Sequence, residues 1–169
     1  MTIQENQIKQ TIARIWDVSS ETYDSNEGHG IKSEAEREAW KKVFKNLLPP
    51  GRLKVLDVGC GTCEIGLLFA EMGHHVTGLD LSKKCLQKPG KKLPEEGLTV
   101  FSKKGDAEAP PFKAGSFDVV VNRHLLWTLP HPDTAVQNWK KKCLWKEESL
   151  LLSMESGMTV QSKQTQGDL

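Results

Sequence analysis

The stretch Val55-Leu56-Asp57-Val58-Gly59-Cys60-Gly61-Thr62-Cys63-Glu64-Ile65-Gly66 holds the residues best suited to chemistry. A short apolar run ends in two glycines, and a helical pattern opens behind them. Glycines let backbone come close to a ligand without a Cβ clash. The unpaired N–H groups of a helix start suit a carboxylate or phosphate. Asp80, 19 residues after Gly61, closes a second apolar run. A carboxylate there can accept from both hydroxyls of a ribose. Several readings meet at this turn. A dinucleotide fingerprint would require G-x-G-x-x-G, but Glu64 stands at the last position. Cys60 and Cys63 form a C-x-x-C between strand and helix, a placement used for thiol redox chemistry. A metal site built from Cys60, Cys63 and His74 or His75 lacks paired-knuckle spacing. A strand–turn–helix that holds no ligand is the plain alternative.

The elements that must position these residues follow from periodicity. Lys54–Val58 and His75–Asp80 read as strands, with Ile65, Leu68, Phe69 and Met72 as the face of a helix between them. Leu98–Phe101 and Phe117–Asn122 read as a third and fourth strand, Thr134 to about Trp145 as a helix, and Ser149–Ser153 as a fifth strand. Such alternation implies a parallel sheet with helices on both faces. Before it, Ile8, Ile12, Ile15 and Trp16 recur at helical spacing. Ser33 with Glu36 has capping-box spacing for a second helix, which carries Trp40, Val43, Phe44, Leu47 and Leu48. The expected organisation is a helical cap over residues 1–50, an α/β domain over 51–155 and a polar tail over 156–169.

Composition sets the outer limits. The 169 residues carry 23 Lys+Arg against 22 Asp+Glu. That balance argues against a dedicated nucleic-acid binder or a polybasic membrane-surface protein. No apolar run approaches the roughly 18–20 residues of a membrane span, and the polar stretch from Met1 to Gln10 lacks a signal-peptide core. Four cysteines are too few for a disulfide scaffold, so a cytoplasmic setting is expected.

The ordered set of motifs resembles the class I S-adenosylmethionine-dependent methyltransferases of the small-molecule type. Val55–Gly66 is similar to their first motif, Leu79-Asp80-Leu81-Ser82 to the second strand end, and Gly105-Asp106-Ala107-Glu108 with Ser116–Val120 to the adenine loop and fourth strand. Asn122–Trp127, followed by Pro130 and Pro132, resembles the segment after that strand. The resemblance spans about residues 53–145. It implies a doubly wound, Rossmann-like sheet of order 3-2-1-4-5, with the last two strands missing, and S-adenosyl-L-methionine as cofactor. It places Asp57, Gly59 and Gly61 around the methionine part, Asp80 at the ribose, and Asp106 and Ala107 at the adenine. Asn122 and Arg123 fall beside the methionine end, His124 near the acceptor as the catalytic candidate, with Trp127 beside it. Tyr23 with Asp24 resembles a lid element. Asp24 also fits a plain turn, and His124 and Trp127 also fit polar-surface and core roles. The implied function is methyl transfer to an unidentified small molecule. The alternatives are a non-catalytic cofactor-binding remnant or partner subunit, and a thiol redox protein using Cys60 and Cys63.

Three places depart from the family pattern. Cys63 stands at the usual third glycine, where a Cβ is expected to crowd the cofactor or strain the turn. Pro89-Gly90 and Pro94 oppose the helix expected over 83–94. Trp145-Lys146-Glu147-Glu148 replaces a glycine turn before the fifth strand, and the polar residues that follow are expected to leave that strand at the sheet edge. The second and third departures both begin at a Lys run followed by Cys-Leu. With codons chosen freely, either segment regains a family-like pattern when read one nucleotide earlier. The expectation is therefore a shifted reading frame at both junctions. Sequencing the source gene across them tests this: unambiguous reads in the present frame contradict it.

Overall fold

The computed structural model describes residues 2–26, 29–87, 100–142, 150–154 and 158–162. Helix α1 (Ile3–Ser19) starts at a capping box formed by Thr2 and Glu5. A 3₁₀ turn over Tyr23–Ser25 and helix α2 (Glu34–Leu47) complete the cap, with the Ser33 hydroxyl capping α2. Then follow β1 (Lys54–Val58), α3 (Glu64–Glu71), β2 (His75–Asp80), β3 (Val100–Lys104), β4 (Val119–Arg123), α4 (Pro132–Lys142), β5 (Leu150–Met154) and β6 (Met158–Ser162). The departures noted at 88–94 and 145–148 lie outside the described residues.

The sheet order is β3-β2-β1-β4-β5-β6. The first five strands are parallel, in the order the sequence implies, and β6 runs antiparallel to β5. This corrects two expectations. A strand occupies Met158–Ser162, where a polar tail was expected, and β5 is therefore not an edge strand. The physical reason is main-chain pairing. Three residues separate β5 from β6, and the ladder from Met154↔Met158 to Leu150↔Ser162 satisfies backbone groups along the outer side of β5. Thr159 and Val160 supply β-branched residues suited to a pleat. Residues 163–169 lie outside the described residues.

The two-residue period of the strands sorts side chains onto two faces. Val55 of β1, Val76 of β2, and Val119 and Val121 of β4 pack with Leu68 and Phe69 of α3 and Phe44 of α2. Leu56, Val58, Leu79 and Val120 pack on the other face with Ala135 and Trp139 of α4. Asp57 and Asp80 belong to the α3 face by this alternation, and Asn122 to the α4 face. Among the described residues no helix is long and apolar enough to cross a membrane.

The cap is fastened over the C-terminal ends of the strands by polar groups. The expected apolar stripe of α1 divides: Ile12 and Trp16 face inward, while Ile8 and Ile15 are 44% and 55% exposed. Lys9 takes the central inward position. Its Nζ lies 2.7 Å from Asp106 Oδ2 and 2.5 Å from Glu108 Oε2, with side-chain exposures of 10%, 16% and 6%. Burial pulls the Lys9 pKa down, but the bonds to the two carboxylates outweigh it and hold the pKa above its ordinary value. About two turns further on, Asp17 Oδ1 accepts from Ser82 Oγ at 2.6 Å and from the Lys84 amide at 3.1 Å. Removing the lysine would leave two carboxylates side by side without their cation. Lys9→Ala is expected to cost on the order of 3 kcal/mol in urea unfolding, as for a broken buried pair. A loss below about 1 kcal/mol would mark the contact as energetically equivalent to a surface ion pair.

Candidate functional site

The turn after β1 is shaped by backbone conformations that glycine supplies at low cost. Gly59 has φ +65° and Gly61 φ +53°. A Cβ on Gly59 would lie 2.6 Å from Leu125 Cδ1, so any larger residue would have to displace the Leu125 side chain as well as adopt the left-handed backbone. A Cβ on Gly61 would meet nothing within 4 Å, because that side of the turn faces open space.

Two carboxylates, the buried Asp57 and the half-buried Asp80, hold the turn. Asp80 Oδ2 accepts from the Gly61 amide at 2.8 Å, and Asp80 Oδ1 accepts from the Ser82 amide at 2.7 Å. Asp57 Oδ2 accepts from the Gly66 amide at 3.0 Å, inside the first turn of α3. Burial pushes the Asp57 carboxyl up to about 7. The Gly66 bond opposes this and the charge on Asp80 adds to it. Burial likewise raises Asp80 against its hydrogen bonds from Ser82, Gly61 and Leu81.

An open pocket of about 940 Å³, counting its mouth, lies between this turn, the ends of β2 and β4, and the cap. Its wall includes Asp57, Gly59, Gly61, Asp80, Ala107, Arg123, His124 and Tyr23, bringing together eight residues singled out in the sequence. Asp106 and Asn122 are not in the wall. The Asp106 carboxylate is turned to Lys9 and to the Glu108 amide, and the pleat sends Asn122 to the α4 face. Trp127 is 68% exposed, and its ring centroid lies 6.3 Å from that of Trp16.

Sequence reasoning missed part of the cap's contribution. Asp24 is more than a turn residue: its Oδ1 accepts from Thr62 Oγ1 at 2.5 Å, tying the 3₁₀ turn of the cap to the glycine turn. Lys32 Nζ donates to the Asp24 carbonyl. Ile12, Trp16, Ser20 and His29 also line the pocket. His29 gave no signal, standing in a Ser/Asn/Gly-rich break with no periodicity.

Cys63 differs from expectation in a specific way. It does occupy the left-handed region, at φ 61°, a conformation that costs an L-residue roughly 1–2 kcal/mol. Its side chain does not crowd the pocket, however. It is fully buried and packs with Cys60 against Gly78, where a Cβ would lie 2.7 Å from Cys60 Sγ and 3.2 Å from Cys63 Sγ. The hydrogen bond with Cys63, then burial, raise the Cys60 thiol well above its ordinary pKa. Reactive thiols show the opposite, a lowered pKa with solvent access.

The Asp57 shift predicts a pH dependence. An acid with a folded pKa near 7 and an unfolded value near 3.8 binds more protons when folded, so its contribution to stability falls as pH rises between those values. Asp57→Asn keeps an oxygen for the Gly66 amide and removes the titration. From pH 4 to 7, wild-type stability is expected to decline relative to this variant by about 1.4 kcal/mol per pH unit at most. Parallel urea titrations check this, and a pH-independent difference would contradict a raised pKa at Asp57.

Comparison with known proteins places this geometry in context. A family model described as "Methyltransferase domain" matches residues 56–144. The malonyl-[acyl-carrier protein] O-methyltransferase of Erwinia pyrifoliae is 33% identical over 110 residues, covering 65% of this chain and 38% of that protein. The ubiquinone biosynthesis O-methyltransferase of Aromatoleum aromaticum is 33% identical over 124 residues, covering 73% of this chain and 50% of that protein. The chain thus spans half or less of the length of these relatives. Among solved structures, the cyclase SpnF superposes with a TM-score of 0.71 at 21% identity, covering 86% of this chain and 59% of that one, a likeness of fold.

Proposed function

The chain belongs to the methyltransferase-domain family, and from that premise we propose that its pocket binds S-adenosyl-L-methionine and presents the methyl group to a small-molecule acceptor. The observation that carries this reading is the Gly59–Cys63 turn. Asp80 holds it from the neighbouring strand, and the bare side of Gly61 faces the pocket. That vacancy fits a ligand in van der Waals contact with backbone. The Asp80 carboxylate accepts from the Gly61, Ser82 and Leu81 amides, and its roughly four lone-pair sites leave one for a ribose hydroxyl. In this reading Asp57, Gly59 and Arg123 surround the methionine part, Ala107 backs the adenine, and Tyr23 closes the lid. Asp106 and Asn122 lie outside the wall.

The sulfonium of the cofactor supplies an already activated methyl group. The protein's share is to hold the acceptor in line and to exclude water, an orientation effect worth several kcal/mol. The cap suits that task, because Lys9, Asp17 and Asp24 fasten it to the strand ends and the turn. The raised Cys60 pKa and the burial of both thiols disfavour the redox alternative.

Isothermal titration with S-adenosyl-L-methionine tests the reading. The wild-type chain is expected to bind, and Asp80→Ala to lose about 1.5–3 kcal/mol, the range for hydrogen bonds to a charged group. An unchanged dissociation constant in the variant would remove Asp80 from the site. Transfer of labelled methyl to a panel of hydroxyl and amine compounds then separates an enzyme from a domain that only binds.

A further inference from the structure

The pocket wall carries a run of rings of which the proposed cofactor reading uses Tyr23 alone. Four rings follow one another along the wall: Trp16 to Tyr23 at 5.6 Å, Tyr23 to His29 at 4.4 Å, and His29 to His124 at 5.1 Å between centroids. The Trp16–Tyr23 pair meets edge-on at 85°, and the other two pairs are tilted. Ile12 and Leu129 add apolar surface to the same pocket. A wall of ring faces and edges is complementary to a flat, aromatic guest.

Within it, the Nδ1 atom of His29 is buried and has no hydrogen-bond partner among the described residues. Buried polar atoms are satisfied as a rule, and an orphan in a ligand pocket points to a ligand group that completes it. The backbone that follows His29 is closely built. Gly30 has φ +68°, and a Cβ there would lie 2.6 Å from the Asp24 carbonyl oxygen. Asp24 in turn is bonded to Thr62 of the glycine turn. The imidazole is thus carried by a segment fastened to the proposed cofactor turn.

We propose that this pocket accepts a planar aromatic compound bearing a hydroxyl group, and that His29 Nδ1 receives the hydroxyl proton as the oxygen is methylated. The proposal rests on the methyl-transfer reading for its chemistry, though not for the binding of the acceptor. In the step, an oxygen lone pair of the acceptor forms the bond to the methyl carbon. The carbon–sulfur bond breaks with its electron pair going to sulfur, and the O–H proton passes to Nδ1 and later to solvent. The His124 ring, held at a left-handed φ of 54°, packs against His29 and positions it.

Catechol and its dimethyl ether, veratrole, are the probes, the second lacking any hydroxyl. They are titrated into ¹³C-labelled protein without cofactor, and the histidine Cε1 signals are followed by NMR. Catechol is expected to shift the His29 signal and to bind about tenfold more tightly than veratrole, the worth of one buried hydrogen bond. His29→Gln is expected to lose that preference while retaining its affinity for S-adenosylhomocysteine, and to lower methyl transfer to catechol by about 10²-fold or more, as for a lost general base. Equal affinity for the two probes, no binding of catechol, or a preference that survives His29→Gln would each overturn the proposal. If His29→Gln does not fold, the two-probe comparison in the wild type decides alone. Failure of S-adenosylhomocysteine to bind the wild type is a separate result and counts against the methyl-transfer reading.

Discussion

The Asp80 carboxylate joins the end of β2 to the turn after β1 and, through Ser82, to the cap. One oxygen accepts from the Gly61 amide and the other from the Ser82 amide, while the Ser82 hydroxyl donates to Asp17 on α1. A half-buried side chain therefore ties the glycine turn to β2, and its neighbour Ser82 carries that link to the helix above. Burial alone favours the protonated acid, and the backbone donors oppose that shift. The same balance of desolvation against amide hydrogen bonding governs Asp57, one strand away. The site is thus a place where the fold tolerates buried acidity to hold a turn whose glycines leave one side bare.

The cap uses the same physics with a cation. Lys9 bridges Asp106 and Glu108, and the α4 helix reaches the same loop from the other side, with Trp139 Nε1 donating to the Ala107 carbonyl at 2.6 Å and Asn138 Nδ2 to the Glu108 carbonyl at 2.8 Å. Loop 105–109 is gripped by α1 and α4 together. That grip explains why Ala107 faces the pocket while the Asp106 carboxylate does not.

Much of this was legible in the sequence because it depends on local pattern. Lys54–Val58 and His75–Asp80 were readable to the residue, since each is an apolar run bounded by a glycine or a charge. The glycine turn and Asp80 were readable because few residue types permit that conformation and that acceptor. Long-range partners were not. Nothing in the spacing of Lys9 announces a contact with residues nearly a hundred positions away, so its bond to Asp106 was not foreseen. His29 was invisible for the same reason. The orientation of Cys63 was misjudged because sequence shows that a Cβ is present but not which side of the turn it occupies. The strand at Met158–Ser162 was missed because polar composition was weighed for burial, whereas the strand is held by main-chain pairing to β5.

The central claim is that the bare side of the glycine turn, faced by Asp80, is where the adenosyl cofactor lies. Backbone amide correlation spectra recorded during titration with S-adenosylhomocysteine test it most directly. The account predicts the largest shifts at Gly59, Gly61, Asp80, Leu81 and Ala107, saturating together with one dissociation constant. Shifts confined to the outer face of α1 or to the α4 face, with the Gly61 and Asp80 amides unmoved, would contradict it.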